Sequence, residues 1–246
     1  MPEVTIAYGM TETSPVSFQS AVDDPLEKRV SSVGRIRPHL EVKLVDESGN
    51  TVPVGQPGEL CTRGYLVMKG YDGNPEATEQ AIDTEGWLHT GDIGVINPAG
   101  NLVITDRKKN IFVSSGGKNI APQPIENTLT QSRFIDQIVL LGDKREYCTA
   151  LIVPDFEYVK EYATMNGLAY PDTYSLLQSD ALLQAIQRDV DALQANFAKF
   201  EKVRKFTLME RAFTVEDGEI TPKLNVRRHV VEKKFSDRIE KMYEEV

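Results

Sequence analysis

The chain has 246 residues, 40% of them hydrophobic, and carries a formal net charge of −9 at pH 7. That length suits one large domain or two modest ones, and the ordinary apolar fraction belongs to a soluble globular protein rather than a disordered one. The acidic balance argues against a nucleic-acid partner, because phosphate backbones are bound through clustered Lys and Arg, and the one basic run, Arg107-Lys108-Lys109, is too short to reverse it. No apolar stretch approaches the roughly 20 residues that span a bilayer. The start also lacks a charged and then apolar leader, so a cytoplasmic protein, or one on the cytosolic face of a membrane, is expected. Cys61 and Cys148 stand far apart with no CxxC or Cys/His spacing, so neither a disulfide framework nor a zinc site is indicated, and both are expected to be buried, reduced and inert.

From about residue 30 to 105 the chain reads as short strands broken by turns. Glu41-Val42-Lys43-Leu44-Val45 alternates polar and apolar with the period of a half-buried strand, and Asp46-Glu47-Ser48-Gly49-Asn50 is a turn cluster. Pro53, Gly55, Pro57 and Gly58 lead into a second strand, Glu59-Leu60-Cys61-Thr62-Arg63, and the pattern predicts a small β-barrel or β-sandwich subdomain. One helix interrupts it. Asn74 suits an N-cap, Pro75 the first helical position, and Glu76 and Glu79 the positive end of the dipole, with an end near Asp83-Thr84-Glu85-Gly86.

Beyond about residue 106 the texture changes to longer helices between isolated strands. Asp136 to Leu141 and Tyr147 to Val153 predict paired strands around the turn Gly142-Asp143-Lys144-Arg145. Leu183, Ile186, Val190, Leu193, Phe197 and Phe200 fall on one helical face, a helix packed on its own core, and Val231, Phe235, Ile239 and Met242 stripe a last helix. The expected class is α+β: a β subdomain closing residues 1–105, then a domain of short sheets flanked by helices over 106–246.

Tyr8-Gly9-Met10-Thr11-Glu12 offers a ring, a glycine turn, a hydroxyl and a carboxylate within five residues. The ring can lie on adenine, the hydroxyl can bond a phosphate oxygen and the carboxylate can hold Mg²⁺, which prefers oxygen ligands. Alone, the peptide also reads as a turn ending a strand. Asp92, at the end of Gly86-Trp87-Leu88-His89-Thr90-Gly91-Asp92, can accept hydrogen bonds from both hydroxyls of a ribose, or sit in a surface turn. His89 has no paired Ser, Cys or second His nearby and reads as structural rather than as a general base. In Thr105-Asp106-Arg107-Lys108-Lys109 the Arg fork suits a phosphate oxygen, the alternative being a solvated basic turn. Ser114-Ser115-Gly116-Gly117-Lys118-Asn119 fails as a P-loop, since Phe112 stands where the first Gly belongs and Asn119 follows the Lys.

In this order and at this spacing the motifs resemble the second half of the adenylate-forming ligases, which include acyl-CoA synthetases, luciferases and the adenylation domains of peptide synthetases. The string from Thr105 through Asn127 is most similar to long-chain fatty acyl-CoA synthetases, while Tyr8 to Phe18 is more similar to synthetases for shorter or medium acids. The resemblance implies ATP or AMP, Mg²⁺, CoA and a fatty acid as ligands. It places Tyr8 and Gly9 at the adenine, Thr11 on phosphate, Glu12 on Mg²⁺, Asp92 on the ribose and Arg107 on ribose or phosphate. Lys109 becomes the hinge of a mobile lid over 106–246, and Gly116 and Gly117 line the path of the CoA arm. Residues 1–105 become the end of the large adenylation domain.

In the resembled family the loop at Gly218-Glu219-Ile220-Thr221-Pro222-Lys223-Leu224-Asn225 carries a lysine that neutralises charge as carboxylate attacks the α-phosphate. Asn225 stands at that place, while Lys223, two residues earlier on a loop, is the candidate to reach it as the catalytic lysine, and Asn225 could equally cap the final helix. The family's ATP-phosphate loop would lie upstream of Tyr8. The chain is therefore expected to need an amino-terminal adenylation half, to be inactive alone and to self-associate through the apolar face that half would cover; peripheral membrane contact would belong to the full enzyme. The rival expectations are a non-catalytic nucleotide-binding or protein-interaction module, and a ligase that hands its acyl group to a carrier-protein thiol.

Overall fold

The computed structural model describes residues 3–222 and 224–244. The chain forms two compact units, Met1–Asn110 and Ile111–Val246. Among the described residues no helix is long and apolar enough to cross a membrane.

The first unit opens with β1 (Ala7–Gly9), a 3₁₀ turn (Thr11–Thr13), β2 (Val16–Gln19), α1 (Leu26–Ser31) and β3 (Arg35–Ile36). The strands pair antiparallel in the order β1-β2-β3. Next come β4 (Leu40–Val45), β5 (Pro57–Gly64), α2 (Pro75–Ala81), β6 (Leu88–Ile96) and β7 (Leu102–Arg107), whose strands form an antiparallel meander in chain order. This sheet stays open, with β4 and β7 as edges, so the β subdomain is two small sheets and no closed barrel. Phe18, Leu44, Leu60 and Leu102 form its core, with Tyr8, Ile36 and Ile104 packed against them. α2 starts as its sequence predicts, the Asn74 side chain accepting the Ala77 N–H at 3.0 Å. It stops at Ala81, and Asp83 Oδ1 then accepts the N–H groups of Glu85 and Trp87, both at 2.9 Å, to build the turn into β6.

The second unit holds β8 (Phe112–Val113), β9 (Asn119–Ile120), α3 (Pro122–Leu129), β10 (Ile135–Leu141), β11 (Cys148–Pro154), α4 (Phe156–Met165), α5 (Thr173–Leu177), α6 (Asp180–Leu193), β12 (Val203–Leu208), α7 (Arg228–Lys234) and α8 (Ser236–Glu244). β10 pairs antiparallel with β11, and β12 runs parallel on its other side. β11 is buried along its whole length, because both faces of the sheet are covered. Ile138, Leu140, Ala150 and Ile152 join the core made with α3 to α6, while Val139, Leu141, Leu151 and Val153 join Phe213, Val231, Ile239 and Met242.

Two helices differ from their sequence patterns. α6 ends at Leu193 because the buried Gln194 side chain bonds both the N–H and the C=O of Val203, at 2.8 and 3.1 Å. Phe197 and Phe200 thus lie beyond it, though still packed on the same core, and the fully covered stripe is Leu182, Ala185, Ile186 and Val190. The final stripe of Val231, Phe235, Ile239 and Met242 is split between α7 and α8, with Phe235 at the break.

Candidate functional site

The loop after β1 is shaped by two residues. A Cβ at Gly9 would lie 1.5 Å from the Pro15 carbonyl oxygen, where the β1–β2 register shifts, so only glycine fits. Thr13 is buried, and its Oγ1 accepts the Met10 N–H at 3.1 Å. The turn so fixed leaves Thr11 exposed and Glu12 half-buried. Glu12 is held from a distant segment: its Oε1 accepts from the Tyr71 hydroxyl and its carbonyl from the Met68 N–H, both at 2.9 Å. The Tyr71 N–H in turn donates to Thr78 Oγ1 on α2 at 2.9 Å. The bond to Glu12 pushes the Tyr71 hydroxyl above its ordinary range. Sequence reasoning missed Tyr71, which lies 59 residues from Glu12 in no motif of its own. Glu12 fits the role of a Mg²⁺ ligand, since this ion is held by one or two carboxylates together with phosphate oxygens and water.

Asp92 sits in a widened stretch of β6. Cys61 pairs with His89 and Glu59 with Ile93, so β6 uses more residues than β5 between those pairs and Thr90-Gly91-Asp92 bulges. Thr90 Oγ1 pins the bulge, donating to the Leu60 carbonyl at 2.8 Å and accepting the Asp92 N–H at 3.1 Å. The Asp92 side chain is 6% exposed, with Oδ2 accepting from the Tyr8 hydroxyl at 2.5 Å and Oδ1 facing Arg107 Nε at 2.9 Å. Burial, and then the bond to Asp92, raise the Tyr8 hydroxyl well above its ordinary range. A carboxylate has about four lone-pair sites, so Asp92 keeps acceptor capacity for two ribose hydroxyls.

The structure therefore brings Tyr8, Asp92 and Arg107 into contact, with Thr11 and Glu12 on the loop that leaves Tyr8. Asp106, which sequence reasoning passed over, is buried and accepts the Arg107 N–H at 2.6 Å and Asn110 Nδ2 at 3.2 Å. It thereby ties down the 3₁₀ turn Lys108–Asn110, on which Lys109 is exposed.

In the second unit Gly116 and Gly117 form the turn between β8 and β9, closed by the Gly117 N–H on the Ser114 carbonyl at 2.9 Å. Gly117 has φ +72°, and a Cβ there would meet nothing, so the turn's own conformation calls for glycine and leaves the backbone open. Residues 219–222 and 224–227 pair as the arms of a hairpin: Ile220 bridges Val226, and the Arg227 N–H donates to Glu219 O and the Thr221 N–H to Asn225 O, each at 2.8 Å. Lys223 lies outside the described residues. Asn225 is exposed on this hairpin and does not cap α7, whose N-cap is Arg227. The hairpin is anchored by the fully buried Glu219, held by Arg211 through two bonds of 2.8 and 2.6 Å and by Lys234 at 2.9 Å. The bonds from Arg211, opposed by burial and helped by Lys234, hold the Glu219 carboxyl down at about 2.

Comparison with known proteins identifies the family. Residues 1–72 match the AMP-binding enzymes, and residues 109–246 match the AMP-binding enzyme C-terminal domain. Long chain acyl-CoA synthetase 7, peroxisomal, of Arabidopsis thaliana is 39% identical over 246 residues, covering 97% of this chain and 35% of that protein. Long-chain-fatty-acid-CoA ligase 6 of Homo sapiens is 36% identical, over 98% of this chain and 35% of that one. Among solved structures, the adenylation domain of the carboxylate reductase from Mycobacterium chelonae superposes with a TM-score of 0.75 at 26% identity, over 97% of this chain and 34% of that one. The chain spans about a third of the length of the curated relatives it matches. It belongs to the AMP-binding, adenylate-forming enzymes and resembles the carboxy-terminal part of the long-chain acyl-CoA synthetases.

Proposed function

We propose that the chain works as the carboxy-terminal part of a long-chain fatty acid:CoA ligase on the cytosolic side of the cell, together with a partner that supplies the rest of the relatives' length. In that reaction a fatty acid and ATP give an acyl-adenylate and pyrophosphate, and the CoA thiol then displaces AMP. The observation that carries the reading is the buried Asp92 carboxylate gripped by Tyr8 and Arg107. Asp92 accepts the ribose hydroxyls, the Tyr8 ring lies along the adenine, and Arg107, half exposed, reaches ribose or phosphate. Thr11 donates to a phosphate oxygen and Glu12, steadied by Tyr71, would hold Mg²⁺, which neutralises phosphate charge when bound.

The second unit, residues 111–246, acts as a lid. Lys109, on its short turn, is where the lid swings, since hinges are a few element-terminal residues that absorb φ/ψ change. The open backbone at Gly116 and Gly117 suits passage of the thin CoA arm. The test is calorimetric titration with AMP: the chain binds, and Asp92→Ala weakens binding at least about tenfold, the worth of one charge-assisted hydrogen bond. Equal binding by both proteins overturns the reading. Asn225 in the lysine's place favours a second reading, a module that holds adenine nucleotide without turnover; it requires nucleotide binding with no gain of adenylation on Asn225→Lys.

A further inference from the structure

A second set of donor atoms lies on the four-stranded sheet, apart from Tyr8, Asp92 and Arg107. Cys61 on β5 and His89 on β6 are direct cross-strand partners. His89 Nδ1 stands 3.5 Å from Cys61 Sγ and 3.2 Å from Glu59 Oε2. A nitrogen, a sulfur and an oxygen thus converge, all within 4.8 Å of one another. The other ring nitrogen, Nε2, faces Asp83 Oδ2 at 3.7 Å, while Asp83 Oδ1 is committed to the turn before β6. Metal-bound histidines commonly present their remote nitrogen to a carboxylate, and Asp83 is the carboxylate on that side of His89, at ion-pair rather than hydrogen-bond distance. Cys61 is fully buried and Glu59 nearly so, whereas the His89 side chain is 32% exposed. The set is closed by protein on one side and reachable from solvent at the imidazole.

We propose that Glu59, Cys61 and His89 form a binding site for a thiolate-preferring divalent cation of the zinc class, with Asp83 orienting the imidazole and a fourth position open. Binding forms a metal–sulfur bond and releases the Cys61 thiol proton to solvent, with no change of oxidation state. Lys108 Nζ lies 2.9 Å from Glu59 Oε2 and supplies the positive charge that the buried carboxylate needs. Metal and ammonium compete for the same oxygen. Occupancy therefore frees Lys108, the first residue of the turn that carries Lys109, and loosens that turn. Among the described residues Cys148 offers no comparable set: its Sγ faces the Phe200 carbonyl, and it has no place in the donor cluster.

The test is titration of the chain with Co²⁺, followed by thiolate-to-cobalt charge-transfer absorption and by displacement with Zn²⁺. One equivalent binds in the native chain and in Cys148→Ser, and the band is absent in Cys61→Ser. His89→Gln weakens binding at least about tenfold. Lys108→Ala, at a side chain that is 56% exposed and so safe to truncate, tightens binding several-fold because the competitor is gone. A native chain without the band, a band that survives Cys61→Ser, or binding that Lys108→Ala leaves unchanged or weakens overturns the proposal.

Discussion

The Tyr8 hydroxyl donates to Asp92 Oδ2 at 2.5 Å, joining two motifs that lie 84 residues apart. One carboxylate thus serves the tyrosine, Arg107 and, in the proposed function, the ribose. Asp92→Asn keeps the shape but removes the charge, so AMP affinity falls about 10- to 100-fold, the worth of one or two charge-assisted hydrogen bonds. Tyr8→Phe removes only one donor to Asp92 and costs less affinity than Asp92→Asn. Calorimetric titration of both variants checks the order, and a larger loss in Tyr8→Phe contradicts it.

Tyr71 holds Glu12 without burying it. Tyr71→Phe deletes one hydrogen bond at a residue that is 41% exposed, so stability in urea shifts by no more than about 0.5 kcal/mol. The Glu12 carboxylate loses its fixed orientation, and the several-fold gain in ATP affinity that Mg²⁺ gives shrinks. Titrations with and without Mg²⁺ measure that ratio; an unchanged ratio separates Tyr71 from the metal-facing role of Glu12.

Glu219 makes the second unit sensitive to acid. Its carboxyl is held at about 2 against an ordinary 4.5, first by the bonds from Arg211. A carboxyl whose folded value is depressed contributes stability that is fully present above pH 4.5 and is lost as the pH falls through 2. The contribution is on the order of 3 kcal/mol. Urea unfolding across that window should show the native chain losing stability more steeply than Glu219→Gln, which starts less stable. Parallel profiles contradict this account of the hairpin anchor.

Helix α1 turns Leu26 and Val30, spaced i and i+4, to solvent, each 67% exposed. Apolar pairs left bare in this way favour association between copies of the chain. Light scattering should show concentration-dependent oligomers that Leu26→Glu with Val30→Glu reduces, and a monodisperse native monomer contradicts the expectation.

What the sequence revealed was local. Asn74 and Pro75 announce α2 because capping acts within one turn, and the apolar runs of β10 and β11 announce their pairing because both faces are buried. Tyr8, Asp92 and Arg107 were legible as motifs, yet their mutual contact depends on a bulge in β6 that no local pattern encodes. The same holds for Cys61 and His89, read singly as inert and structural: 28 residues separate them, and only the β5–β6 register makes them neighbours. Tyr71, 59 residues from Glu12, was missed for that reason. The run-on of α6 and the unbroken final helix were errors of another kind. Periodicity continues past a helix end when the next segment packs on the same core, and the end itself was set by Gln194 bonding to β12.

The most direct test of the central claim is thioester synthesis from palmitate, MgATP and CoA by this chain mixed with the separately expressed amino-terminal remainder of a long-chain acyl-CoA synthetase. The account predicts activity that needs both pieces and is lost with Asp92→Ala. No activity from the mixture, with both pieces folded and the remainder active alongside its own carboxy-terminal part, would contradict it.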